Sequence, residues 1–148
     1  MERLRLTGIP AIHGRTIDIL IIVSYVLAMS ESDLSAFLPL KNDVLHILLA
    51  LAEGPLHGYA IMRGAEELSN GEVVLQLGAL YRTLHGLLQQ SLIARADPPR
   101  SETGGDPRRR YYRITPTGKQ VLQAELARME ALVRVGRRIM PLSARASR

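Results

Sequence analysis

The chain has 148 residues, enough for one domain with appendages. It is 47% apolar with 4% aromatics and no Trp, and the absence of Cys excludes disulfides, thiolate metal sites and a cysteine nucleophile. A net charge of +5 comes from 17 Arg and 2 Lys against 14 acids. This bias suits phosphate or carboxylate recognition, since guanidinium binds both in a bidentate way.

Residues 1–36 differ from the rest. Ile17 to Ala28 is an apolar run interrupted by Asp18 and preceded by Arg3, Arg5 and Arg15. It has the length of a signal-peptide apolar region and falls short of the roughly 20 residues that span a bilayer. Three readings stay open: translation starting at Met29, an accessory helix, or a targeting or anchoring segment. No stable membrane insertion is expected, and a cytoplasmic location is.

From Leu40 the pattern turns helical. Leu45, Leu48, Leu49 and Ala52 recur at i, i+3, i+4, i+7, and Val44, Ile47 and Leu51 form a second stripe, so this helix is expected between two layers. Asn42 or Asp43 can cap its start. Glu53-Gly54-Pro55 is expected to end it, with Gly54 left-handed. A second helix is predicted from about His57 to Ser69, with Ile61, Ala65 and Leu68 on one face. Gly64 inside it points to close helix packing, and Asn70-Gly71 is a turn signal. His57 is expected to cap or pack this helix, and His46 to form a buried or interfacial hydrogen bond. The four His residues (13, 46, 57, 85) show no metal-ligand spacing.

The third predicted helix spans about Leu77 to Gln90. Leu80, Leu84, Leu87 and Leu88 make its core stripe. Arg82 and Gln89 point away from the stripe, Gly78, Ala79, His85 and Gly86 flank it, and Tyr81 lies at the boundary. The outward face is small or hydrogen-bonding, with one Arg and no acid. That suits a major groove, and equally an ordinary solvated surface when taken alone.

A hairpin follows. Leu92 to Ala96 supplies one strand, 98–107 a polar Gly/Pro-rich loop, and Arg108-Arg109-Arg110-Tyr111-Tyr112-Arg113-Ile114 the return strand. A GC-rich coding sequence also produces Arg in place of Lys, so placement carries more than the total: four Arg and no acid fall between 108 and 113. Ile93 and Ile114 are expected core positions, with Arg110 and Tyr112 on the side of Ile114 and Tyr111, Arg113 and Thr115 on the other. Thr115 reads as an N-cap with Pro116 at the first helical position. The last helix then runs to about Met140. Leu122, Leu126, Met129, Val133, Gly136 and Met140 follow the 4-3-4-3-4 spacing of a coiled-coil seam, and Leu132, Val135 and Ile139 make a second stripe. So small a domain cannot cover both, and dimerisation is expected.

Over roughly Leu40 to Met140 the chain resembles the PadR-like family of winged-helix transcription regulators. The resemblance rests on Leu48-Leu49-Ala50-Leu51-Ala52-Glu53-Gly54-Pro55-Leu56-His57-Gly58-Tyr59, on Gly78-Ala79-Leu80-Tyr81-Arg82-Thr83-Leu84, and on Arg109-Arg110-Tyr111-Tyr112-Arg113-Ile114-Thr115. It implies a mainly α fold with a small β-hairpin: a winged helix-turn-helix plus a long C-terminal dimerisation helix. The domains would be an extension over 1–36, a DNA-binding domain over 37–116, a dimerisation helix over 117–141 and a disordered tail over 142–148.

The function implied is a homodimeric repressor of an inverted-repeat operator in double-stranded DNA, released by a small apolar or aromatic inducer. The DNA-contacting set would be Gly78, Ala79, Tyr81, Arg82, His85, Gln89, Arg108, Arg109, Arg110, Tyr112 and Arg113. Dimer contacts would come from Leu122, Leu126, Met129, Val133 and Met140. Neither a cofactor, a metal nor a catalytic residue is expected. Two departures stand out. Gln76, Leu77 and Ala79 replace the family's frequent Ser/Thr-Pro start and a hydroxyl on the third helix, and no Trp supplies the indole clamp of some drug-binding relatives. The alternative function is a winged-helix interaction module whose basic wing binds an acidic partner. An enzyme fares worst, since no Ser/His/Asp arrangement or phosphate-cradling glycine loop is present.

Overall fold

The computed structural model describes residues 33–102, 106 and 108–140. Expectations for residues 1–28, the loop tip 103–105 and the tail from 142 fall outside these. The chain divides into two compact units, Met1–Ala36 and Phe37–Arg148. In the first, Asp33, Leu34 and Ser35 are helical; the account below concerns the second. No helix among the described residues is long and apolar enough to cross a membrane.

The second unit runs α1 (Asn42–Leu51), β1 (Leu56–His57), α2 (Gly58–Leu68), α3 (Leu77–Gln89), β2 (Ile93–Ala96), a 3-10 turn (Arg100–Glu102), β3 (Tyr111–Ile114) and α4 (Pro116–Ile139). The mainly helical fold with a basic hairpin is as the periodicities predict.

Leu45, Ile47, Leu48, Ala50 and Leu51 of α1 are all buried, as a helix between two layers requires. Gly64 allows the close approach inferred from its place in α2: a Cβ there would lie 3.1 Å from the Ala50 methyl. His57 caps α2, its Nδ1 accepting the Ala60 N–H at 3.3 Å. His46 is half-buried, its Nδ1 2.7 Å from the Asn42 carbonyl.

Two local expectations need correction. The N-cap of α1 is Lys41, with no side-chain cap bond, and Asp43 instead accepts the Val44 N–H at 2.8 Å. Nor is Gly54 left-handed; α1 closes on Ala52 in the right-handed region, and Gly71 (φ 83°) is the described glycine with positive φ. Asn70 (φ 53°) precedes it, so the Asn-Gly turn forms where expected.

The sheet has one strand more than the sequence shows. Its order is β1-β3-β2, both pairs antiparallel, which makes the basic return strand central. Ile93 pairs with Ile114 and Arg95 with Tyr112, while Leu56 and His57 pair with Tyr112 and Tyr111 from the other side. Flanked on both edges, β3 buries Tyr111, Tyr112 and Ile114 and leaves Arg113 exposed. Simple alternation therefore fails at the tyrosines. The Tyr111 ring stands edge-on to His57, centroids 5.6 Å apart.

Helix α3 ends in a Schellman arrangement: Leu92 N–H donates to the Leu87 carbonyl at 3.0 Å and Ser91 takes φ 58°. Leu92 and Ser91 then receive the start of α4. Thr115 N–H donates to the Leu92 carbonyl, and Thr115 Oγ1 donates to the Ser91 and Leu92 carbonyls at 2.7 and 3.0 Å. The same hydroxyl accepts the Gly118 N–H, the N-cap bond expected of Thr115 before Pro116. Gly118 sits against the Leu92 carbonyl oxygen, where a Cβ would overlap that oxygen and lie 2.9 Å from Ile114 Cγ1.

Candidate nucleic-acid interface

The faces of α3 follow from its leucines. Leu80, Leu84 and Leu87 are buried. Gly78, Tyr81, Arg82, His85 and Gln89 are exposed, and Ala79 is half-buried beside the core. Arg82 lies back along the helix, with a guanidinium nitrogen 3.7 Å from where a Gly78 Cβ would be. A Cβ at 78 would make ordinary van der Waals contact with it. The α3 N-cap, Gln76, makes no side-chain cap bond, so the missing Ser/Thr-Pro pair leaves this helix start without a side-chain acceptor.

Between α3 and the hairpin runs a cleft of about 550 Å³. Tyr81, His85 and Leu88 of α3 line one wall, and Arg108, Arg109, Arg110 and Arg95 line the other, with His57, Gly58 and Tyr59 at the start of α2. The one acid among the described lining residues, Asp106, is engaged in shaping the turn. Its Oδ1 accepts the Arg108 N–H at 2.9 Å and its carbonyl accepts the Arg109 N–H at 3.0 Å. Among the described residues four arginines and one acid line this cavity, an arrangement that attracts phosphate. The Tyr81 hydroxyl is packed on Gly58, where a Cβ would lie 2.9 Å from it, so Gly58 lets α3 seat against the start of α2.

Sequence reasoning and structure part at Tyr112. It was expected to contact DNA, but only 2% of it is exposed. It forms the floor of the cleft and carries the Arg95 guanidinium, 4.6 Å from its ring centre, as a cation–π pair. Arg95, which is not among the expected contacts, also lines the cleft. The signal was available, because alternation from buried Ile93 puts Arg95 on the same face of β2. Arg113, on β3, is exposed but does not line the cleft.

The expected dimer seam also divides. Leu122 is 5% exposed and is consumed by its own domain core, because this part of α4 still packs on α1. Leu126, Met129, Val133 and Met140 are 39–74% exposed, as are Leu132, Val135 and Ile139. The exit point is Glu125, the last buried residue of α4. Arg128 Nε and Nη2 donate to its carboxylate at 2.8 and 2.7 Å. The Arg128 bonds hold its pKa below the ordinary value against the opposing effect of burial.

The model of the transcriptional regulator PadR-like family matches residues 47–124. An uncharacterised 37.1 kDa protein in transposon TN4556 of Streptomyces fradiae is 38% identical over 86 residues, 58% of this chain and 22% of that protein. The chain thus spans about a fifth of that relative's length. Among solved structures, a PadR family transcription regulator from Clostridium difficile is 25% identical with a TM-score of 0.53, covering 67% of this chain and 97% of that one. A transcriptional regulator from Clostridium thermocellum is 25% identical with a TM-score of 0.52, covering 67% and 89%. Bacillus subtilis PadR in complex with operator DNA is 25% identical with a TM-score of 0.50, covering 60% of this chain and 47% of that one.

Proposed function

This chain belongs to the PadR-like family of transcriptional regulators, and we propose that it acts as a dimeric repressor that binds an inverted-repeat operator through α3 and the β2–β3 wing. It is a regulator rather than an enzyme. The observation that carries the DNA reading is the cleft that faces Tyr81 and His85 of α3 with Arg95, Arg108, Arg109 and Arg110 of the hairpin. On this reading the exposed face of α3 enters the major groove. Arg82 and Gln89 contact base edges, with Gly78 and Ala79 admitting close approach. Tyr81, His85, Arg95 and Arg108 to Arg110 contact phosphate along one side, and Arg113 reaches it from the other face of β3.

The dimer reading is supported by α4, whose 126–140 portion leaves two apolar stripes uncovered. Burial against a second copy removes both from water. A small apolar or aromatic inducer would find adaptable side chains near this seam in Met129 and Val133.

The test is binding of wild type and Arg82→Ala to duplexes selected by the wild-type protein from a random pool. Loss of base preference at defined positions, with affinity for unselected DNA retained, supports the assignment of Arg82. Equal losses on both DNAs contradict it.

A further inference from the structure

Among the described glycines, Gly58 and Gly118 are the two where an added Cβ would come within 3.0 Å of another residue. Gly118 meets backbone, the Leu92 carbonyl oxygen, so its reason lies in the fold. Gly58 meets a side chain: the Tyr81 hydroxyl at 2.9 Å, with Tyr81 Cζ and Cε1 next at 3.3 and 3.6 Å. Backbone conformation does not call for glycine there, since Gly58 is the first residue of α2 and the described glycine with positive φ is Gly71. We propose that Gly58 is a positioning residue for DNA binding, whose missing side chain seats the Tyr81 phenol and so fixes where the Tyr81 hydroxyl meets phosphate at the basic cleft. This rests on the DNA-binding reading above, in which Tyr81 contacts the DNA backbone.

The two sides of this contact differ in how readily they yield. The chain at Gly58 follows His57, which pairs with Tyr111 across the sheet, caps α2 through the Ala60 N–H and sets its ring edge-on to the Tyr111 ring. Tyr111 is itself buried, 4% exposed. Tyr81 is 47% exposed, and the atoms facing Gly58 are the far end of its side chain. A methyl at 58 therefore moves the phenol and leaves the backbone in place. Ordinary contact begins at about 3.5 Å, so the hydroxyl at 2.9 Å would retreat by about half an ångström or more.

That distance is large for a hydrogen bond and small for a fold. An O–H···O bond keeps its strength only over about 2.5–3.0 Å, so half an ångström takes a fixed hydroxyl from the optimum to the edge of the range. The seat also restrains the ring before DNA arrives, which lowers the entropy lost on binding. A purely structural glycine would behave otherwise. In a first helical turn alanine is the better helix former and narrows the unfolded ensemble, so Gly58→Ala is expected to fold as well as wild type or better.

The experiment compares full-length wild type, Gly58→Ala, Tyr81→Ala and the double variant. Each is melted by circular dichroism and titrated by fluorescence anisotropy across a salt series. The two probes are a duplex selected by the wild-type protein from a random pool and an unselected duplex of the same length.

Gly58→Ala is expected to melt at or above the wild-type temperature and to bind both duplexes about three- to tenfold more weakly, the effect of one hydrogen bond. The slope of log K against log salt stays at the wild-type value, because a tyrosine hydroxyl releases no counterion. In the Tyr81→Ala background the same change at 58 has no further effect on binding, a non-additivity that only contact between the two residues produces. Wild-type affinity in Gly58→Ala, an equal loss in the Tyr81→Ala background, or a melting temperature well below wild type overturns the proposal. Wild-type affinity in Tyr81→Ala overturns it too, while leaving the DNA-binding reading intact. A wild type that selects no duplex and binds none overturns that reading, and the proposal with it.

Discussion

Arg95 and Tyr112 sit at directly paired positions of β2 and β3, and the Arg95 guanidinium lies 4.6 Å from the centre of the Tyr112 ring. An exposed arginine is thus held over a buried aromatic floor at the edge of the basic cleft. Ordering it in advance reduces the entropy lost when it meets phosphate. Arg95→Ala is expected to weaken selected and random DNA alike and to lower the slope of log K against log salt by about 0.9, one phosphate contact. Fluorescence anisotropy across a salt series measures this, and an unchanged slope removes Arg95 from the interface.

Tyr112 then acts through the fold. Tyr112→Ala removes a ring that is 2% exposed, and the expected cost is about 3–5 kcal/mol of stability, by analogy with other buried aromatics. Thermal unfolding by circular dichroism should show it. An unaltered midpoint together with lost DNA binding would restore Tyr112 as a direct contact.

Two glycines should respond with opposite signs. At Gly118 an added Cβ overlaps the Leu92 carbonyl oxygen, which the Thr115 bonds hold in place. Gly118→Ala should destabilise by about 1–3 kcal/mol or more. Gly86 lies within α3 with nothing within 4 Å of its added Cβ. Gly86→Ala should stabilise by about 0.5–1 kcal/mol through reduced chain entropy. Chemical denaturation of the two variants checks both signs.

Glu125 gives a pH signature. Its pKa is lowered in the folded chain by the bonds from Arg128, from an ordinary value of 4.5. The unfolded state therefore takes up the proton first as pH falls. The contribution of this group is fully present above about pH 4.5 and is lost as pH drops through the lower folded value. Wild type should accordingly lose stability more steeply than Glu125→Gln below pH 4.5, in thermal melts run from neutral to acid. Parallel curves would show that Glu125 does not hold its charge in the fold.

The local signals were the readable ones. Apolar spacing placed all four helices to within about two residues, although Leu68, expected on the packed face of the second, is exposed, and Thr115-Pro116 located the start of the last. What tertiary contact decides was hidden. Leu56-His57 is too short to alternate, so β1 could not be seen and the sheet read as a two-stranded hairpin. Alternation alone did not show that Tyr112 is buried beneath Arg95. Nothing local marks Gly118, because its reason is a carbonyl 26 positions earlier in the chain. The heptad spacing ran through Leu122 without showing that α4 leaves its domain after Glu125.

The central claim is two copies of this chain reading one operator. The most direct measurement is the mass and stoichiometry, by sedimentation, of the full-length protein with a duplex selected from a random pool. The account predicts an inverted repeat bound by two chains, with half-site centres about 34–36 Å apart or a multiple of that and an affinity at least about a thousandfold above random DNA. One chain per duplex, or equal affinity for selected and random sequences, would contradict it.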